Sequence, residues 1–167
     1  SVAKTMPQMC SAAMALDGIA GQRLVAAGLS AGGHLAACLL ATDSKQVDPD
    51  LPADLVPSAY TISGLFDLRP IAETYLNKAL QLDSAEARRL SPLFWPPPKG
   101  AKLHAAVGAL ESAEYHRQSR EIVARWNAAG AQTRFELVPQ ANHFTIVAPL
   151  ADPRSAMVQD IVRLGCS

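Results

Sequence analysis

Residues 28–32 read Gly28-Leu29-Ser30-Ala31-Gly32, and they stand between an uncharged apolar run and an alanine-rich one. A serine hydroxyl is a poor nucleophile until a base takes its proton and its Oγ stands clear of its own backbone. A sharp turn from strand to helix, with the serine in a strained conformation, meets the second condition. Glycines at 28 and 32 suit such a turn, because a side chain at either place is expected to collide where strand and helix nearly touch. The turn also aims the helix N-terminus, with its free N–H groups and positive dipole end, at an oxyanion formed beside Ser30.

The pentad alone arises by chance in roughly one chain of this length in twenty, so its surroundings decide. Residues 24–27 have the pattern of a short buried strand, and Ala31–Ala41 is rich in Ala and Leu, as a packed helix is. That is the context a nucleophile elbow requires. The competing reading, a glycine-rich αβ loop that only packs or holds a phosphate, fits it less well.

Short apolar runs alternate with helical ones along the rest of the chain. This predicts a three-layer α/β/α fold around a mostly parallel sheet. Strands are expected at 24–27, 59–63, 103–107 and 134–138. Helices are expected at 2–19, Ala31–Ala41, 68–80, 84–90, 114–129 and 152–164. Residues 42–57 form a polar loop, and the prolines within 92–100 make that stretch a connector. At 167 residues this is one domain with room for a real core.

Fifteen Lys and Arg balance fifteen Asp and Glu, so nothing in the charge points to nucleic acid or an anionic membrane. No apolar run approaches the ~18 residues of a membrane span, and no signal-peptide pattern opens the chain. Cys10, Cys38 and Cys166 are odd in number and scattered. They read as reduced thiols in a cytoplasmic protein. No metal-ligand spacing occurs, and no cofactor is called for.

A nucleophilic Ser30 needs a base, and the base needs an orienting carboxylate. His34 lies about one turn from Ser30 in the same helix, too close in sequence to face its Oγ. His104 begins a strand and His116 sits on the polar face of a helix; structural or solvated roles suit both. His143 differs, because it follows the last strand in Pro139-Gln-Ala-Asn-His143-Phe144. In a parallel sheet that loop lies at the same carboxyl edge as the elbow. Two acids qualify at that edge. Glu111 follows a strand and a turn at Gly108, giving the chain order Ser, acid, His. Asp67 follows the second strand and is also readable as a helix N-cap. Glu114 is a more distant third, placed to begin the next helix.

These residues resemble the α/β-hydrolase superfamily, and within it the arylformamidase and esterase branch. The resemblance rests on 28–36, on Ser63-Gly-Leu-Phe-Asp67-Leu-Arg-Pro70, on Ser91-Pro-Leu, on 107–119 and on Asn142-His143-Phe144. It implies a nucleophile at Ser30, an acid at Glu111, a base at His143 and an oxyanion donor at the Ala31 N–H. It implies acyl transfer on a small-molecule ester or formamide, N-formylkynurenine being the formamide in view, with homo-oligomerisation open. Phe66, Trp95 and Phe144 are candidates for an aromatic wall, and core packing accounts for each equally well. The chain departs from the pattern in two ways. Many relatives carry Asp in place of Glu111, and the His-Gly-Gly-Gly loop before the elbow is absent. About the last four of the family's eight strands are found. The expectation is therefore a C-terminal portion of the fold, with β-strand 24–27 left as an exposed edge. An α/β domain that binds a partner without catalysis is the alternative.

Overall fold

The computed structural model describes residues 24–166. The helix expected at 2–19 lies outside them. Four strands, β1 (Val25–Leu29), β2 (Ser58–Ile62), β3 (Lys102–Gly108) and β4 (Gln132–Val138), pair in parallel in chain order. Val25 lies opposite Ser58, Ser58 opposite Lys102, and Lys102 opposite Gln132. All four strands therefore deliver the chain to one carboxyl edge. After β1 come α1 (Ala31–Ala41) and α2 (Ser44–Val47). After β2 come α3 (Arg69–Ala72), α4 (Asn77–Leu80), α5 (Ser84–Arg89) and a 3-10 turn at Pro92–Phe94. β3 leads to α6 (Ala113–Ala128), and β4 to a 3-10 turn at Ala148–Ala151 and α7 (Ala156–Gly165).

Side chains alternate along a strand, so the sheet feeds two cores. Ala59 and Leu103 face Ala36, Ala37 and Leu40 of α1 and Ile122 and Trp126 of α6. Tyr60, Ile62 and Ala106 face the other way, against Ile146 and Met157. Helices on both faces make the three layers that the alternating runs implied. β2 is buried at every position, as a strand covered on both sides must be. β1 is only half-buried and, like β4, is an edge of the sheet among the described residues.

Three expected elements differ. The helix over 68–80 is two short ones, because the Thr74 hydroxyl donates to the Ile71 carbonyl at 2.8 Å and turns the chain. The last helix starts at Ala156, not at Asp152. Asp152 accepts the Arg154 N–H at 2.9 Å in a local turn, and Ser155 caps the helix by accepting the Val158 N–H at 3.2 Å. The loop over 42–57 contains α2, capped by Asp43, whose carboxylate takes the Lys45 N–H at 3.1 Å. Among the described residues, no helix is long and apolar enough to cross a membrane.

Candidate active site

Ser30 joins β1 to α1 with φ 56° and ψ −114°, a conformation L-residues rarely adopt. Its N–H donates to the Ile62 carbonyl at 2.9 Å, and its own carbonyl accepts the His34 N–H at 3.0 Å. The strained residue is thus held by the neighbouring strand and by the first turn of its helix. A Cβ on Gly28 would lie 2.4 Å from the Gly32 carbonyl carbon, so only glycine fits there. The expected collision at Gly32 does not occur: among the described residues nothing comes within 4 Å of a Cβ placed on it. Gly32 faces a groove of about 390 Å³ lined by apolar side chains such as Leu24, Leu35, Leu39 and Val56. The second close approach falls at Gly33, where a Cβ would stand 2.8 Å from Gly64 Cα.

The acid loop is sewn to the end of β4. Ala109 N–H donates to the Val138 carbonyl and Leu110 N–H to the Ala141 carbonyl, both at 2.9 Å. A Cβ on Gly108 would meet the Ala141 carbonyl oxygen at 2.4 Å, so the turn requires that glycine. It sends the Glu111 side chain inward, where 1% of it is exposed. Oε1 accepts the Gly108 N–H at 2.8 Å and the Ser63 hydroxyl at 2.5 Å. Oε2 accepts from His143 Nδ1 at 2.7 Å. With its proton on Nδ1, the neutral imidazole leaves Nε2 as the basic nitrogen. The His143 loop is fixed by Asn142, whose Oδ1 takes the Phe144 and Thr145 N–H groups at 2.9 and 3.0 Å. Tyr115 lies against the imidazole with ring centres 4.8 Å apart.

Glu111 and His143 are therefore in direct contact, and Ser30 lies at the same sheet edge. Asp67 turns elsewhere. Arg69 donates to its two oxygens at 2.9 and 2.8 Å, and Arg117 donates at 3.2 Å. Burial pushes the Asp67 carboxyl up, but these hydrogen bonds outweigh burial and hold it below the usual carboxylate range. It also accepts the Arg69 N–H at 3.2 Å, close to the N-cap role the sequence allowed, although Leu68 holds the cap position. Glu114 is taken by Arg117 and Gln118.

The other histidines are occupied. His34 donates from Nδ1 to the Leu65 carbonyl at 2.7 Å, and its Nε2 lies 3.5 Å from Cys38 Sγ. Burial lowers the His34 pKa and pushes the Cys38 thiol up to about 12, so this pair stays neutral and unreactive. His116 Nε2 donates to the Gly108 carbonyl at 2.8 Å and braces the acid loop. His104 has Glu136 2.8 Å from Nε2 and Asp160 3.8 Å from Nδ1. Their ligand atoms lie within 4.8 Å of one another, a spacing a cation could span. Yet the carboxylates flank opposite ring nitrogens, and Arg134 and Arg163 already engage Asp160. This is a compensated charge cluster between the sheet and α7.

Of the three aromatics, Phe66 is fully buried in the core and Trp95 donates to the Arg89 carbonyl at 2.8 Å. Phe144, 84% exposed, stands edge-on to His143 at 5.8 Å. Sequence reasoning gave Ser63, Gly33 and Tyr115 no role of their own, although all three lie within the motifs that carry the resemblance. Ser63 carries one faint signal, a polar residue one step past a fully buried strand at the edge shared with Ser30.

No family model matches the chain. It is 33% identical over 142 residues to kynurenine formamidase of Danio rerio, covering 82% of this chain and 47% of that protein. Kynurenine formamidase of Salmo salar is 32% identical over 145 residues, again across 82% of the chain and 48% of that protein. The chain thus spans about half the length of the curated relatives it matches. A Silicibacter sp. TM1040 crystal structure assigned as a thioesterase superposes with TM-score 0.75 at 31% identity, over 96% of this chain and 58% of that one. An esterase of Thermogutta terrifontis shares the fold with TM-score 0.65 at 20% identity, over 98% of this chain and 64% of that one.

Proposed function

The chain belongs to the α/β-hydrolase superfamily, in its arylformamidase- and esterase-like branch, and on that premise we propose that Ser30, His143 and Glu111 form a nucleophile–base–acid triad for acyl transfer. The hydrogen bond of 2.7 Å between His143 Nδ1 and Glu111 Oε2 carries this reading. It fixes the tautomer in which Nε2 takes the Ser30 proton. Ser30 then attacks a carbonyl carbon, and the Ala31 N–H, first in a helix whose opening amides lack intrahelical partners, holds the oxyanion. Protonated His143 gives its proton to the leaving amine or alcohol. Water, deprotonated by His143, releases the acid and restores Ser30. The substrate is a formamide on an aromatic amine, with N-formylkynurenine first and small-acyl esters second. The identity to two kynurenine formamidases supports that order.

Labelling with a fluorophosphonate probe tests the triad, because only an activated serine reacts. Wild type is expected to carry the label on Ser30 by peptide mass spectrometry, with Ser30→Ala and His143→Ala unlabelled. A folded, unlabelled wild type would overturn the reading and leave an α/β domain that binds a partner. Comparison of kcat/KM for N-formylkynurenine and p-nitrophenyl acetate then ranks the two substrate classes.

A further inference from the structure

Ser63 is a non-glycine residue at φ 48° and wholly buried, yet among the described residues its side chain bonds no backbone group of the core. Its hydroxyl donates instead to Glu111 Oε1 at 2.5 Å. Its N–H donates to the Ala106 carbonyl at 2.7 Å, and the preceding carbonyl, that of Ile62, takes the Ser30 N–H at 2.9 Å. The end of β2 thus grips the nucleophile elbow through its backbone and the acid through one side chain. A left-handed conformation favours glycine, so the serine there costs backbone strain that a merely space-filling residue would not justify.

We infer that Ser63 is a positioning residue: it holds the Glu111 carboxylate so that Oε2 faces His143. A buried carboxylate needs donors to remain ionised. Gly108 N–H and Ser63 Oγ both supply Oε1, leaving Oε2 to the imidazole. Without the hydroxyl, Oε1 keeps the Gly108 N–H but loses its second donor, and the carboxylate is held less firmly about its last torsion. The hydrogen bond from His143 Nδ1 then loosens, and the imidazole loses a fixed partner. The inference rests on the triad reading for its catalytic consequence, but its positioning part stands on the Glu111–His143 contact alone.

Ser63→Ala removes the hydroxyl, and Ser63→Gly removes it while relieving the backbone. The NMR resonance of the His143 Nδ1 proton reads the Glu111–His143 hydrogen bond without requiring turnover. It is expected to move upfield in both variants as that bond loosens, while the resonance of the His34 Nδ1 proton stays as in wild type. Where hydrolysis is measured, kcat should fall about 10- to 100-fold with KM unchanged. The two variants should match in kcat, although the glycine variant melts no lower than the alanine one. An unmoved His143 Nδ1 proton resonance, or losses that follow melting temperature rather than the hydroxyl, would overturn the inference. Failure of Ser30 to label, with the His143 resonance still displaced, would strike the triad and leave the Ser63 contact standing.

Discussion

At the carboxyl edge of the sheet, the acid–base side and the serine side are built differently. Glu111 is enclosed by donors from the ends of β2 and β3 and from the loop after β4. Ser30 rides on β1, which is half-buried, pairs with β2 alone among the described residues, and borders an apolar groove. One side takes its precision from many hydrogen bonds to one carboxylate. The other takes it from a single strained residue and a glycine contact with no spare volume. A site assembled this way fails by two routes: loss of charge positioning on the acid side, and steric disruption on the serine side.

The largest effect should come from the acid side. Glu111→Gln keeps the shape but removes the negative charge that selects the His143 tautomer, and kcat should fall about 10⁴-fold. Asp67→Asn should leave kcat within a few-fold of wild type, because the Asp67 carboxylate is engaged by Arg69 and Arg117. Steady-state kinetics on the two variants decides between them, and the reverse order would move the acid to Asp67.

On the serine side the contrast lies between two glycines of one motif. A Cβ at Gly28 meets backbone atoms that cannot yield, and Gly28→Ala should cost about 3 kcal/mol or more in chemical denaturation. Gly32→Ala meets open space among the described residues, in the first turn of a helix, and should stabilise by about 0.5–1 kcal/mol. If Gly32→Ala proved as damaging as Gly28→Ala, the contrast between the two glycines would be overturned.

This pair of glycines also marks where the sequence is legible. The elbow, the parallel order and the helix Ala31–Ala41 follow from local pattern: an uncharged strand, a pentad, then an Ala-rich run. Loop positions after each strand place Glu111 and His143 at one edge. The choice between Glu111 and Asp67 stays open in the sequence because both follow strands there, and only the third dimension shows Arg117 of α6 reaching back to Asp67. Gly32 departs from expectation for a related reason: sequence spacing says which residues flank a turn, but not which face of the helix meets the strand. Ser63 shows in the sequence only as a polar residue just past a buried strand, because its contact with Glu111 lies 48 residues away with no periodicity to announce it.

The smallest effect concerns pH, and it turns on Asp67, the carboxylate that the arginines engage. Asp67 is held below the usual carboxylate range by hydrogen bonds from Arg69 and Arg117 that overcome its burial. A folded-state pKa lower than the unfolded one means the unfolded chain takes up the proton first as pH falls. The stabilisation is therefore fully present above the ordinary carboxylate range of about 4 and disappears as pH drops through the lower, folded value. Asp67→Asn removes that titration. At neutral pH the variant should melt lower than wild type by the equivalent of about 1 kcal/mol, a modest figure because both arginine side chains are more than 40% exposed. On acidification the two melting curves should converge, wild type losing stability more steeply. Thermal melts from pH 7 down to the acid range, monitored by circular dichroism, check this. Parallel curves with a constant gap would mean that Asp67 acts through packing and not through its charge.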